Sequence, residues 1–337
     1  MPSEQDLRDA ALSGDEQAYR RLVEPYRAAL HAHCYRMLGS LSDADDALQD
    51  ALIGAWKGLA GFEGRSSFKS WLYTVATHAC LKLGAQRRPR IMPAEHAAAN
   101  RPHDDLPAPL EQTHWVGPYP DDAIGSADGL ASPAARYEER ESIELAFIVL
   151  LQHLPPTQRA ALILRDVLGF SAEEAAASLE TSVASANSAL QRARQTLEQR
   201  RPAQSQQAIR RALGDDTHKR LVERFINAWS RADVEAIVSM LAEDAHFSMP
   251  PFPFWFSGRD DIRTFLAERV FALRWRWSAA RANGQPAMAA YLWDAEAGAF
   301  RLEVLNVLDF RGERVAGLSA FLRFEVGDRF GLPAVRD

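Results

Sequence analysis

Apolar positions recur at steps of three and four through the first ninety or so residues, so this part of the chain reads as helices. Residues 10–37 carry Leu22, Tyr26, Leu30 and Cys34 on one face until Gly39 and Ser40 interrupt the pattern. Ser42 then reads as an N-cap, with Asp45 completing a capping box. Ala44, Ala47, Leu48, Ala51, Leu52, Ala55 and Trp56 form the apolar stripe of the helix it opens, leaving Asp45, Asp46, Gln49 and Asp50 outside. A loop over 61–67 precedes a helix over about 68–86. Helical periodicity returns over 138–201, broken at Leu154-Pro155-Pro156 and again at Gly169 and Ser171. From about Asp216 two helices (219–231 and 234–242) lead into strand-like runs, with turns at Asn283-Gly284 and Arg311-Gly312. The run 304–310, apolar with polar breaks, predicts a curved sheet covered on one face.

The segment 170–197 has the pattern of a helix-turn-helix: a short helix over 172–179, a turn over 180–184 and a longer helix from Ser185. Ala186, Leu190, Ala193 and Leu197 make the inner stripe of the second helix, and the small residues Ala175 and Ala176 opposite let the two helices cross closely. The outer face presents Asn187, Ser188, Gln191, Arg192, Arg194 and Gln195. Such amides, hydroxyls and guanidinium groups read base edges and grip phosphates in the major groove. A helical hairpin with a polar exterior shares the pattern, which does not separate a repressor from any other DNA reader.

Charge changes the picture more than composition does. The chain has 337 residues, enough for two or three compact units, and a net charge of −6. That acidity argues against nucleic-acid binding until its distribution is seen. Residues 64–94 contain no Asp or Glu but hold Arg65, Lys69, Lys82, Arg87, Arg88 and Arg90, whereas 95–144 is acidic. Residues 90–135 have a linker's composition, yet contain Trp115-Val116-Gly117-Pro118-Tyr119, aromatics that call for a docking surface. No apolar run reaches membrane-spanning length and the N-terminus is polar, so a cytoplasmic protein without membrane contact is expected. The two cysteines, Cys34 and Cys80, do not suggest disulfides, and His31, His33 and Cys34 read as a packed helix face rather than a metal site. No cofactor is expected.

Specific motifs then give a family resemblance. The run Leu154-Pro155-Pro156-x-Gln158-Arg159, followed by Leu162-x-Leu164-Arg165-Asp166-x-x-Gly169-x-Ser171-x-x-Glu174-x-Ala176 and Arg192-Ala193-Arg194-x-x-Leu197, resembles region four of the ECF (extracytoplasmic-function) class of RNA polymerase sigma factors. Ser42-Asp43-Ala44-Asp45-Asp46-x-x-Gln49-Asp50 with Trp56 resembles the region-two helix that docks on the polymerase clamp, and Phe68-x-x-Trp71-Leu72-Tyr73-x-x-Ala76 is similar to the promoter-melting helix. Phe225-x-x-Ala228-Trp229, Leu241-Ala242-Glu243-Asp244-Ala245 and Asn283-Gly284-Gln285-Pro286-Ala287 resemble a SnoaL-like domain, a cone-shaped α+β fold. The resemblance implies a multidomain chain: all-α region two over 1–92, a linker over 93–135, all-α region four over 136–202 and an α+β regulatory domain over 216–337.

By carry-over, Asp46, Gln49 and Asp50 would meet the basic coiled coil of the β′ clamp of core RNA polymerase, with further contacts to the β subunit. Phe62, Arg65, Phe68, Lys69, Trp71, Tyr73, His78, Lys82, Arg87 and Arg88 would meet the −10 element and its opened single strand, with rings beside a positive groove. Trp71 and Tyr73 cannot both point outward. The family commonly has Asn where this chain has His78 and an acid where it has Lys82, which leaves the base preference there open. Arg165, Ser185, Asn187, Ser188, Gln191, Arg192 and Arg194 would meet duplex DNA at the −35 element. Trp115, Gly117, Pro118 and Tyr119 resemble a linker motif found with such C-terminal extensions, which are thought to regulate the factor. Trp229, Met249, Trp255, Trp275, Tyr291 and Trp293 would line a pocket for a small-molecule ligand. His246 and Asp309 have an acid–base composition but no spacing that joins them.

Two other functions fit parts of the pattern. A one-component regulator with a ligand-sensing domain explains the helix-turn-helix but not the Asp46/Gln49/Asp50 and Trp71 blocks. A SnoaL-type enzyme fused to a DNA-binding segment predicts turnover by residues 216–337.

Overall fold

A computed structural model describes residues 2–64, 66–124, 140–200, 202–323 and 327–336. They form two compact units, one made of Met1–Pro89 and Ala123–Arg201, the other of Arg90–Asp122 and Pro202–Asp337.

The first unit is helical. It begins with α1 (Glu4–Leu12), α2 (Glu16–Val23), α3 (Arg27–Leu38), α4 (Leu41–Gly58) and α5 (Phe68–Gly84). The helical stretch expected over 10–37 is divided among the first three of these helices. Gly14 at φ 95° ends the first, and the Asp15 carboxylate caps the second by accepting from the Gln17 and Ala18 N–H groups. Pro25, which lacks an N–H, sits in a tight turn before α3. The cap of α4 is Ser40 rather than Ser42: Ser40 is extended and its hydroxyl accepts from Asp43 N–H, whereas Ser42 already lies in the first turn. Small side chains at Ala44, Ala47, Ala51 and Ala55 are buried where α4 packs on α3 and α5.

The unit continues with α6 (Leu145–Gln152), α7 (Pro156–Leu162, extended by a π turn over Ile163–Val167), α8 (Ala172–Ser178) and α9 (Val183–Arg200). Two buried arginines join its halves. Arg36 donates to the Ser142 carbonyl at 3.2 Å and the Ser142 hydroxyl at 2.9 Å. Arg159 donates to the carbonyls of Met37, Gln152 and Leu154 and to the Gln152 side chain. Arg159 thereby satisfies carbonyls that helix geometry leaves open at the C-terminal ends of both α3 (Met37) and α6 (Gln152). Burial pushes the Arg159 pKa down to about 10.

The second unit is α+β. Helices α10 (Gln206–Leu213), α11 (Asp215–Ser230), α12 (Val234–Met240) and α13 (Arg259–Phe265) accompany strands β1 (Leu241–Ser248), β2 (Trp255–Ser257), β3 (Trp275–Ala282), β4 (Gln285–Asp294), β5 (Ala299–Arg311), β6 (Arg314–Leu322) and β7 (Val335–Arg336). The strand order is β2-β1-β6-β5-β4-β3, with β7 paired to β5. Among the described strands β1 and β6 pair in parallel, and the other pairs are antiparallel. Phe225, Trp229, Ile237, Met249, Phe256, Met288, Leu308 and Leu318 share the core on one face of the sheet. The run 304–310 is not covered on one face only. Leu305 and Val307, which alternate with the core residues Val304 and Leu308, are equally buried.

The segment expected to be a linker is a strap on this unit. Ile91 bridges Trp115, and Arg90 donates to the Trp115 carbonyl. Asn100 N–H donates to the Trp255 carbonyl at 2.9 Å while its side chain accepts from Trp255 N–H at 3.1 Å. The Trp255 indole donates to the Ala97 carbonyl, Leu110 N–H to the Pro251 carbonyl, and Pro120 bridges Ala282 at the sheet edge. Such bonds come from irregular backbone that would otherwise seek water. The unit also begins at Pro202 rather than 216, because Gln207 of α10 is buried and donates to the Gly284 carbonyl.

Candidate nucleic-acid and polymerase interfaces

Helix α4 presents Asp46, Gln49 and Asp50 exposed on one side. Their acidic neighbours are engaged elsewhere. Asp43 is buried and paired with Arg87, and the Asp45 carboxylate lies 3.0 Å from His31 Nε2. Beside the exposed trio, Tyr19, Val23, Leu48, Leu52, Ile53 and Trp56 line an open groove. The Tyr19 hydroxyl donates to the Leu52 carbonyl at 2.5 Å, and burial pushes its pKa up to about 12.

At the start of α5 three rings gather. Trp71 lies 5.1 Å from Phe62 and 5.6 Å from Phe68. Phe62 and Trp71 are half-buried, but Phe68 and Tyr73 are interior, contrary to their expected place at the DNA surface. Two residues along a helix turn the side chain roughly 200°, so with Trp71 at the edge Tyr73 faces inward, edge-on to His33 and Phe170. Lys69, Lys82 and Arg88 are exposed. Arg87 does not stand free, since it neutralises the buried Asp43 carboxylate. Arg65 lies outside the described residues.

Another face of α5, Ser70, Thr74 and His78 at steps of four, is bonded to α8 and the turn after it. Thr74 Oγ1 and Ser178 Oγ are 2.7 Å apart, His78 Nε2 lies 2.9 Å from the Ser178 carbonyl, and Ser70 Oγ reaches Glu174 at 3.5 Å. His78 Nδ1 also lies 3.9 Å from the Glu180 carboxylate.

On α9, Ser185, Asn187, Ser188, Gln191, Arg192 and Arg194 are exposed while Ala186, Ala189, Leu190 and Ala193 are buried. The Ser171–Glu174 capping box starts α8. Arg194 is held by both oxygens of Asp166, at 2.9 and 2.6 Å. Arg165 donates to the Phe170 carbonyl and is half-buried, so it braces the turn before α8 rather than projecting from the outer face with the α9 side chains.

Comparison with known proteins accounts for both helical surfaces. Family models match residues 22–89 as Sigma-70 region 2, 144–197 as Sigma-70 region 4 and 222–318 as a SnoaL-like domain. The ECF RNA polymerase sigma factor SigG of Mycobacterium tuberculosis is 39% identical over 328 residues, covering 95% of this chain and 84% of its own. The chain belongs to the ECF family of RNA polymerase sigma factors. SigM of the same organism, also an ECF sigma factor, is 29% identical over 58% of this chain and 83% of its own. In fold, this sigma factor is similar to the crystal structure of M. tuberculosis SigJ, with a TM-score of 0.54 at 22% identity, over 91% of this chain and 97% of that one. Among the described residues, no helix is long and apolar enough to cross a membrane.

The six candidate pocket residues of the SnoaL-like domain do not converge. Trp229, Met249 and Trp275 join the core, where Trp229 and Trp277 lie 4.6 Å apart. Trp255 is tied to the strap, Trp293 packs on Phe300 at 5.1 Å, and Tyr291 lies beneath Arg336. Strand alternation separates them, since Tyr291 and Trp293 point away from the face of Ala290 and Met288. The structure does bring together a pair that spacing left apart. His246, Gly317 and Asp309 lie in one cross-strand row, and Gln285 Nε2 donates to Asp309 Oδ1 at 2.7 Å. Burial raises the Asp309 pKa, against the lowering effect of His246 and Gln285. No sequence signal short of strand register reveals this row.

Proposed function

We propose that this sigma factor docks on core RNA polymerase through Asp46, Gln49 and Asp50 and engages promoter DNA with two separate surfaces. The supporting observation is that these three side chains stay exposed while the neighbouring Asp43 is paired with Arg87 and Asp45 is engaged by His31 within the unit. Phe62, Lys69, Trp71, Lys82 and Arg88 would hold the opened −10 strand, and Asn187, Ser188, Gln191 and Arg192 the −35 duplex. Ser70, Thr74 and His78 are occupied by α8 and its turn, so single-stranded DNA and region four compete for that face. The SnoaL-like domain would regulate initiation through the strap, which carries Trp115, Gly117, Pro118 and Tyr119, with Trp115 and Tyr119 buried. A small-molecule ligand would act by changing that docking.

Run-off transcription with core polymerase tests the reading, comparing the full chain with a truncation after Pro202. The full chain is expected to start at a specific promoter. The truncation, whose strap loses its sheet, is expected to show a changed level. Failure to bind core polymerase refutes the assignment, and equal activity of the two refutes regulation by the C-terminal domain.

A further inference from the structure

At one end of the second unit, arginines lie over aromatic rings on neighbouring strands. Arg274 sits 4.3 Å from the Trp293 ring and 5.2 Å from Phe300, Arg276 lies 4.5 Å from Phe300, and Arg336 lies 4.9 Å from Tyr291. The register explains the cluster. Trp293 pairs with Phe300, Phe300 with Arg336 and Tyr291 with Arg276, so four adjacent strands feed one patch.

Among the described residues none of these three guanidinium groups has an ion pair or a hydrogen-bond acceptor. Other arginines of the unit do: Arg281 reaches Asp121 at 2.7 Å, Arg301 reaches Asp294 at 2.7 Å and Arg311 reaches Asp244 at 3.0 Å. In a chain of net charge −6, three uncompensated cations on one patch are an electrostatic exception.

We propose that this patch binds the phosphate backbone of duplex DNA without sequence preference. A guanidinium held over a ring is pre-oriented and keeps its N–H donors for an oxyanion. The rings of Trp293 and Phe300 already carry arginines, which disfavours a platform for unstacked bases. Arg276 on β3 reaches the Phe300 ring on β5 and Arg336 on β7 reaches the Tyr291 ring on β4, so the guanidinium groups gather over neighbouring rings and present their donors together to a phosphate backbone. This surface is separate from α5 and α9, and goes beyond the two promoter contacts proposed above.

The test uses the full chain assembled with core polymerase, a promoter fragment and a fragment of equal length with both promoter elements scrambled. The logarithm of affinity is measured against the logarithm of salt for the native chain and for R274A/R276A/R336A. Each phosphate contact contributes a slope of about 0.9, so the triple variant is expected to lose about 2 to 3 from the slope on both fragments. R274K/R276K/R336K, which keeps the charge, is expected to retain most of it. Should the alanine triple unfold, Arg276→Gln alone, at an exposed position, is expected to lose about one contact's worth of slope, ~0.9. Unchanged slopes would overturn the proposal, whether the patch then meets an acidic protein or only water. Failure of the initiation reading shows separately, as absence of promoter-specific run-off by the native chain.

Discussion

Tyr119 and Asn283, 164 residues apart, exchange two hydrogen bonds: Tyr119 N–H donates to Asn283 Oδ1 at 2.9 Å, and Asn283 N–H donates to the Tyr119 carbonyl at 2.8 Å. Both residues are fully buried. Asn283 is left-handed at φ 57° and Gly284 follows at φ 69°, the geometry of a tight hairpin turn between β3 and β4. The turn that closes the hairpin therefore also seats the strap.

Asn283→Ala is expected to destabilise the second unit by about 1–3 kcal/mol, through an unsatisfied Tyr119 N–H and an alanine in the left-handed region. Asn283→Gly removes the backbone strain but not the lost bond. Limited proteolysis of the strap and thermal unfolding check both. Equal behaviour of the two variants would show that strain contributes nothing.

A methyl group at Gly317 would fall 2.5 Å from His246 Nε2 and 3.1 Å from Asp309 Oδ2. Gly317→Ala should cost about 1–3 kcal/mol as an overpacked site. Adding His246→Ala should recover part of that cost, and a double-mutant cycle on unfolding free energies measures the coupling.

The 2.7 Å contact between Thr74 and Ser178 permits a covalent test of competition between region four and DNA. A T74C/S178C chain, once oxidised, is expected to lose promoter opening with core polymerase and to regain it on reduction. Normal opening by the oxidised protein would mean that α8 need not leave α5.

Arg159→Met should destabilise the first unit by on the order of 3 kcal/mol. Methionine fills the volume but leaves the carbonyls of Met37, Gln152 and Leu154 without their donor. Denaturant unfolding followed by Trp56 and Trp71 fluorescence measures the loss.

His33 is fully buried, and burial, with a smaller contribution from the Arg36 charge, lowers its pKa to about 3, against about 6.5 in an unfolded chain. Thr77 spends its proton on the Tyr73 carbonyl, so it accepts from Nε2–H of a neutral His33, whose Nδ1 has no partner. Between those two values the unfolded chain binds a proton the folded chain does not, so stability falls as pH drops through that window. His33→Gln should flatten this dependence. Thermal unfolding at about pH 7, above the window set by these pKa values, and at about pH 4.5, inside it, compares the slopes.

The sequence by itself determined the local elements and the family. Helical periodicity, the breaks at Pro155-Pro156 and at Gly169 and Ser171, and the Asn283-Gly284 turn each act within a few residues, and so does the motif carrying Asp46, Gln49 and Asp50. Tertiary structure alone decided which polar groups remain available. Burial of Tyr73, capture of Arg87 by Asp43, seating of Tyr119 on Asn283 and the His246–Asp309 row all join positions far apart in the chain. Periodicity states which face a residue occupies, whereas its partner is fixed by strand register and helix crossing. Those depend on how the whole set of apolar faces closes together, which a local pattern does not encode.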